Sequence, residues 1–245
     1  MKADIDSAAA DAVNNPEIEG PGTSIVTRPS LAIGSPQQDL SDQLRPPILQ
    51  IVHATGGLSK QFNPGDMVLD KTHLVIPKGK STKMIVLAYT KYFKEYCSPE
   101  LWNAGDRNMK VFATAEEAHA AGMSTENNNL TGEKAKAPMC MQWAGLLEKP
   151  ADLVCEAFCI AANGKVYSPF LMYLERSAWW AVSKPFSMAA QFSCRERGIH
   201  TAVWDLKIGI YHAKASGNDS WVPNITLAQH LSDAEVEGLK AAIPR

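Results

Sequence analysis

Between Ile48 and Tyr96 the apolar residues fall into short β-type runs, ILQIV, MVL, HLVIP and MIVLAY, parted by Gly, Pro and Asn. That punctuation predicts four or five strands in a compact antiparallel meander. Pro46-Pro47 opens it, because a proline pair suits a strand edge or a turn and cannot sit inside a ladder. Asn63-Pro64-Gly65-Asp66 is a turn, with proline presetting φ and glycine tolerating φ > 0. Two further strands are predicted over 153–161 and 166–174, joined by Asn163-Gly164, the strongest short hairpin signal. Residues 177–197 read as a helical segment, interrupted or restarted at Pro185 and stopped at Gly198. From Thr201 to Lys214 the pattern alternates: Trp204, Leu206, Ile208 and Ile210 point one way, Asp205 and Lys207 the other, as in a half-buried strand. A turn at 216–219 leads into a final strand over Ser220–Pro223. Ser232-Asp-Ala-Glu235 is a capping box opening a helix to about Ile243.

Residues 1–44 show no sustained period and are rich in Ala, Pro, Gly, Ser, Asp and Gln, which predicts a flexible N-terminal arm. The remainder, 45–245, reads as a single domain with an inserted loop and helix region at about 97–139. Within that insertion, Thr114-Ala-Glu-Glu117 is a capping box for a short helix ending at Gly122, and Asn127-Asn128-Asn129 is a polar loop. The insertion is either a solvated excursion or a lid over a bound strand. The expected fold class is mainly β: a small antiparallel OB-like barrel with a helical insertion, a flexible arm and a C-terminal helix.

A formal net charge of −2 means that affinity for a polyanion must come from a local patch. The charge is segregated along the chain. The first thirty residues hold Asp4, Asp6, Asp11, Glu17 and Glu19 against Lys2 and Arg28, whereas residues 78–94 carry five lysines and no acid. No apolar run approaches the roughly 18 residues that span a bilayer, and the N-terminus lacks the basic start and apolar core of a signal peptide. A cytoplasmic location without membrane partners is therefore expected, and five cysteines fit a reducing compartment.

Several familiar chemistries fit poorly. Gly79-Lys80-Ser81-Thr82 resembles the end of a phosphate-binding P-loop, but the full motif needs glycine where Leu74 stands, and a strand-like run follows instead of a helix. These residues read as a basic turn between strands. Cys155 and Cys159, placed on a strand, lie roughly 13 Å apart, too far for one zinc ion. Asp66 and Asp70 could share a strand face as ligands of a metal-dependent nuclease, yet no other carboxylate points to them, and turn and strand-edge roles suit both. Without a hydrolase or metalloprotease motif, neither a cofactor nor an enzymatic activity is expected.

The remaining signal is lysine interleaved with rings: Lys78, Lys80, Lys83, Lys91 and Lys94 beside Tyr89, Tyr92, Phe93 and Tyr96. Cations seek phosphates and flat rings stack on bases, so this mixture points to a surface for an unpaired nucleic-acid strand. A core strand with snorkelling edge lysines would carry the same residues. Trp179-Trp180 should split into one core and one exposed ring, and Trp204 and Trp221 should be core residues.

The blocks PPILQI, PGD, IPKGKSTKMIVLAYTKYFKEY, SPFLMYLERSAWWAV, WDLKIGIYHAKASGNDSWVPNI and LSDAEVEGLKAA together resemble bacteriophage single-stranded DNA-binding proteins, in outline over 45–242. The resemblance implies an OB-fold protein that coats unpaired DNA during phage replication or recombination, in the host cytoplasm if viral. Its expected partners are single-stranded DNA and replication or recombination proteins, with a homo-oligomer as one option. Residues 177–197 supply only Lys184, Arg195 and Arg197, with Arg176 just before, and are poorer in Lys and Ser than that family's late helix. The family's acidic C-terminal tail has no counterpart in the ending AAIPR. The alternative from another class is a viral structural or assembly protein whose β-domain mediates protein–protein contacts.

Overall fold

The computed structural model describes residues 46–54, 57–96, 109–125, 136–149, 159–212 and 219–243. The expectations for the N-terminal arm, the Asn127–Asn129 loop, Cys155 and most of the strand over 153–161 lie outside these residues.

The chain is mainly β. Strands β1 (Leu49–Ile51), β2 (Met67–Leu69) and β3 (His73–Ile76) form a small antiparallel sheet. They are followed by β4 (Ser81–Lys94), β5 (Val111–Phe112), helix α1 (Ala115–Ala120), β6 (Met139–Glu148), β7 (Ile160–Ala162), β8 (Lys165–Leu174) and helix α2 (Ser177–Met188). The described chain closes with β9 (Ala202–His212), β10 (Asp219–His230) and helix α3 (Asp233–Ala242). The large sheet is antiparallel, in the order β10-β9-β4-β6-β8-β7, with β5 on β4. One extra residue, Leu87, bulges from β4: Val86 pairs with Gly145 and Ala88 with Ala144.

β4 is apolar without a break from Met84 to Leu87 because helices cover both faces there. On one face Met84 and Val86 join Trp143, Phe170 and Trp204 beneath Trp179, Val182 and Phe186 of α2, and the small sheet adds Leu49, Met67 and Val75. On the other, Ile85 and Leu87 join Leu146 and Val203 beneath Val236, Leu239 and Ile243 from α3 and its end. A fully buried strand loses the polar alternation of a half-buried one.

Local signals are realised closely. Asn163 and Gly164 take φ of 55° and 71° between β7 and β8, the doubly left-handed turn whose twist matches a hairpin. Ser232 accepts from the Glu235 N–H while its own N–H donates to the Glu235 carboxylate, completing the capping box. At α1 Thr114 caps Glu117, whose carboxylate instead accepts from the Ala113 N–H, one residue further back.

Two expectations are corrected. First, no closed barrel forms among the described residues: the two sheets are joined through one parallel bridge, Ile48 to Leu171. Closure would need β10 to hydrogen-bond to the small sheet. Instead α2 packs against β10, and the Trp221 ring docks sideways on the turn at Gly65. Second, Pro185 does not interrupt the helix. α2 runs through it and ends in a π-turn at Ala189–Ser193, where the Cys194 N–H reaches the Ala189 carbonyl at 2.8 Å. Burial of Trp179, Val182 and Phe186 on either side outweighs the one hydrogen bond that proline removes. No helix among the described residues is long and apolar enough to cross a membrane.

Candidate nucleic-acid interface

Strand period two decides where the lysines and rings of β4 go. Tyr89, Lys91 and Phe93 share the face that carries α2, whereas Tyr92 and Lys94 share the other. Tyr89 is 41% exposed and meets Phe186 edge-on at 5.2 Å, and Lys91 is exposed beyond it. Phe93 is buried with Ala118, Met123 and Ala137. Tyr92 is buried too; its hydroxyl donates to Glu175 at 2.9 Å, and burial, then the Glu175 charge, pushes the phenol far above its ordinary pKa. Lys94 donates to both Glu175 oxygens at 2.9 Å. Lys83 is ion-paired to Asp205. The expectation of one groove shared by all these residues therefore fails. Tyr92 and Phe93 offer no stacking surface, and Lys83 and Lys94 already hold carboxylates.

Lys78, Lys80 and Tyr96 stand apart from that pattern. Lys78 and Lys80 are exposed in the basic turn between β3 and β4. The turn is held from below by Asp66, buried with one oxygen accepting from the Lys78 N–H at 2.7 Å and the other from the Asn63 N–H at 2.9 Å. Asp70 accepts from the Ile48 N–H at 2.8 Å, so neither acid is posed as a metal ligand. Among the described residues no cluster of three His, Cys, Asp or Glu could hold a metal ion.

The Lys78 ammonium lies 4.7 Å from the centre of the Trp221 ring, so Trp221, expected in the core, is a partly exposed partner of a cation. Gly65 makes this possible. Its φ of +96° excludes most side chains, and an added Cβ would come within 3.2 Å of the ring. Tyr96 is half-buried under Arg176, whose guanidinium carbon is 4.6 Å from the ring centre. Arg176 caps α2 in a left-handed backbone conformation, φ 51°, with no side-chain cap.

Trp221 and Arg176 both line an open cavity of about 650 Å³, together with His53, Lys94, Tyr173 and Glu175. Burial lowers the His53 pKa, leaving its imidazole neutral at pH 7. Burial and the Glu175 charge push the nearby Cys140 thiol up to about 12, so it stays protonated. Two cations and one carboxylate therefore face the cavity, and Lys78 adds positive charge behind Trp221. Tyr173, 38% exposed, adds another ring. Such a site can hold a planar group against its rings and an anion at its rim.

Of the nine residues singled out from the sequence, Lys94 lines this cavity, while Lys78 and Tyr96 reach it through the partners they stack on. Arg176, Glu175, Trp221, Tyr173 and His53 were missed as site residues. The available signal was the Glu175-Arg176 pair between an apolar strand and a helix start, a place where charges cannot be buried unpaired. The chain has no match among protein-family models, curated proteins or solved structures.

Proposed function

We propose that the protein is a non-enzymatic binder of unpaired DNA, and that the strand runs along the cavity past Trp221 and Arg176. One observation carries this reading: two cation-capped rings, Lys78 on Trp221 and Arg176 on Tyr96, flank an open cavity large enough for a nucleotide. Bases stack on rings whatever their sequence, at about 1–3 kcal/mol each, and Lys and Arg at the edges take the phosphates. A role in phage replication or recombination, inside a host cytoplasm and with the proteins of those processes, rests on the resemblance of its sequence blocks alone.

The test is a fluorescence titration with a labelled oligothymidine. Wild type should bind at low salt and lose affinity steeply as salt rises, because phosphate contacts release counterions. Trp221→Ala and Arg176→Ala should each weaken binding, while Tyr92→Phe should not. A wild type that ignores the oligomer at low salt removes the reading.

A second reading, an assembly protein, is favoured by a different observation. The outer side of α2 and its π-turn exposes Trp180, Met188 and Phe192, at 50%, 52% and 74%. Covered by a second copy, this stripe would make a homo-oligomer that persists after nuclease treatment and becomes monomeric in Phe192→Glu, measurable by light scattering.

A further inference from the structure

Glu175 is out of place in a site for a polyanion, and its geometry gives it a task. We infer that Glu175 makes the cavity selective among bases by accepting a hydrogen bond from an exocyclic amino group, so that cytosine is preferred over uracil-type bases. The inference rests on the strand-binding reading above.

Three observations carry it. Glu175 is the one acid among the described residues that line the cavity. Its carboxylate is fixed from behind: Tyr92 and Lys94 both donate to Oε1, and Lys94 also to Oε2, each at 2.9 Å. Each carboxylate oxygen has two lone pairs, so Oε2, with one donor, can accept another. Finally, the Glu175 side chain remains 31% exposed and lines a cavity that Trp221 and Tyr173 also line.

Chemistry selects what that oxygen meets. A phosphate would be repelled. The 4-amino group of cytosine is a donor of the kind carboxylates accept in base recognition, whereas uracil and thymine present a carbonyl oxygen there. Because Tyr92 and Lys94 hold Glu175, the acceptor is oriented before the base arrives and little freedom is lost on binding. One such contact is worth roughly a fivefold to tenfold preference, the lower end of base discrimination.

Oligodeoxycytidine and oligodeoxyuridine of equal length, each fluorescein-labelled, provide the test, since the bases differ only in the amide-like edge. At neutral pH and low salt, wild type should bind the cytidine strand roughly five to ten times more tightly. Glu175→Gln should lose that ratio while binding the uridine strand at least as well, because a negative charge has left the site and glutamine can pair with either edge. Equal wild-type affinities for the two strands overturn the inference and leave strand binding intact. So does a Glu175→Gln protein that weakens on both strands with its ratio unchanged, which would make Glu175 only a support for Lys94. If wild type binds neither strand, the strand-binding reading itself has failed. Lys94→Met, which removes the support and keeps the carboxylate, should retain a preference for cytidine, and its loss there without change in Glu175→Gln also overturns the inference.

Discussion

Lys78 and Lys94 bracket β4, and each is met by a group from a distant element, with opposite results. Lys78 lies over an indole that leaves it exposed, so its charge remains available to a ligand. Lys94 is clasped by both oxygens of Glu175 and its charge is largely satisfied within the protein. The rings follow suit: Trp221 sits at the surface against a glycine turn, whereas Tyr92 is sealed beneath Glu175. Whether a lysine beside an aromatic in sequence becomes an interface depends on what the rest of the chain lays across each face.

The sharpest way to break this comparison is to remove the two rings in turn. Tyr92→Ala should destabilise the fold by about 3–5 kcal/mol, as for other large buried rings, read from the urea midpoint. Trp221→Ala should instead cost strand affinity, about 1–3 kcal/mol for one stacked base, while the melting curve moves much less. If Trp221→Ala unfolds the protein and Tyr92→Ala does not, the assignment is reversed. Next come the lysines. Lys78→Ala should lower the slope of log affinity against log salt by about one phosphate contact, and Lys83→Ala, already paired to Asp205, should leave the slope unchanged.

The smallest expected effect is on pH. Burial lowers the folded-state pKa of His53 below 6.5, so the unfolded chain binds more protons just below that pH. The associated stability is present above pH 6.5 and is lost as pH falls through the folded value. Urea midpoints should decline below pH 6.5, less so in His53→Asn, and an unchanged slope in the variant would assign the decline to other groups.

What could be read from the sequence was local. The four strands between Ile48 and Tyr96, the Asn163-Gly164 hairpin, the alternation of β9 and the Ser232 capping box each depend on a few neighbouring residues. Even the division of Trp179 and Trp180 into a buried and an exposed ring follows from helical period. The sheet order was not legible, because β4 finds β6 and β9 across long stretches of chain and no short pattern encodes partner choice. The site failed to emerge for the same reason. Trp221 looks like any strand tryptophan until Gly65 and Lys78 are folded beside it. Pro185 misled because its local cost is certain, while the burial that offsets it is contributed by other elements.

The bulge at Leu87 has a consequence for how this surface could change. It acts as a parity switch: residues before it keep one inside–outside phase and residues after it the opposite one. Deleting that single position would join Val86 to Ala88 in a regular ladder, leaving Tyr89 and Lys91 on the α2 side and Tyr92 and Lys94 beside Glu175. One codon of length can thus be lost at this point without turning over either surface.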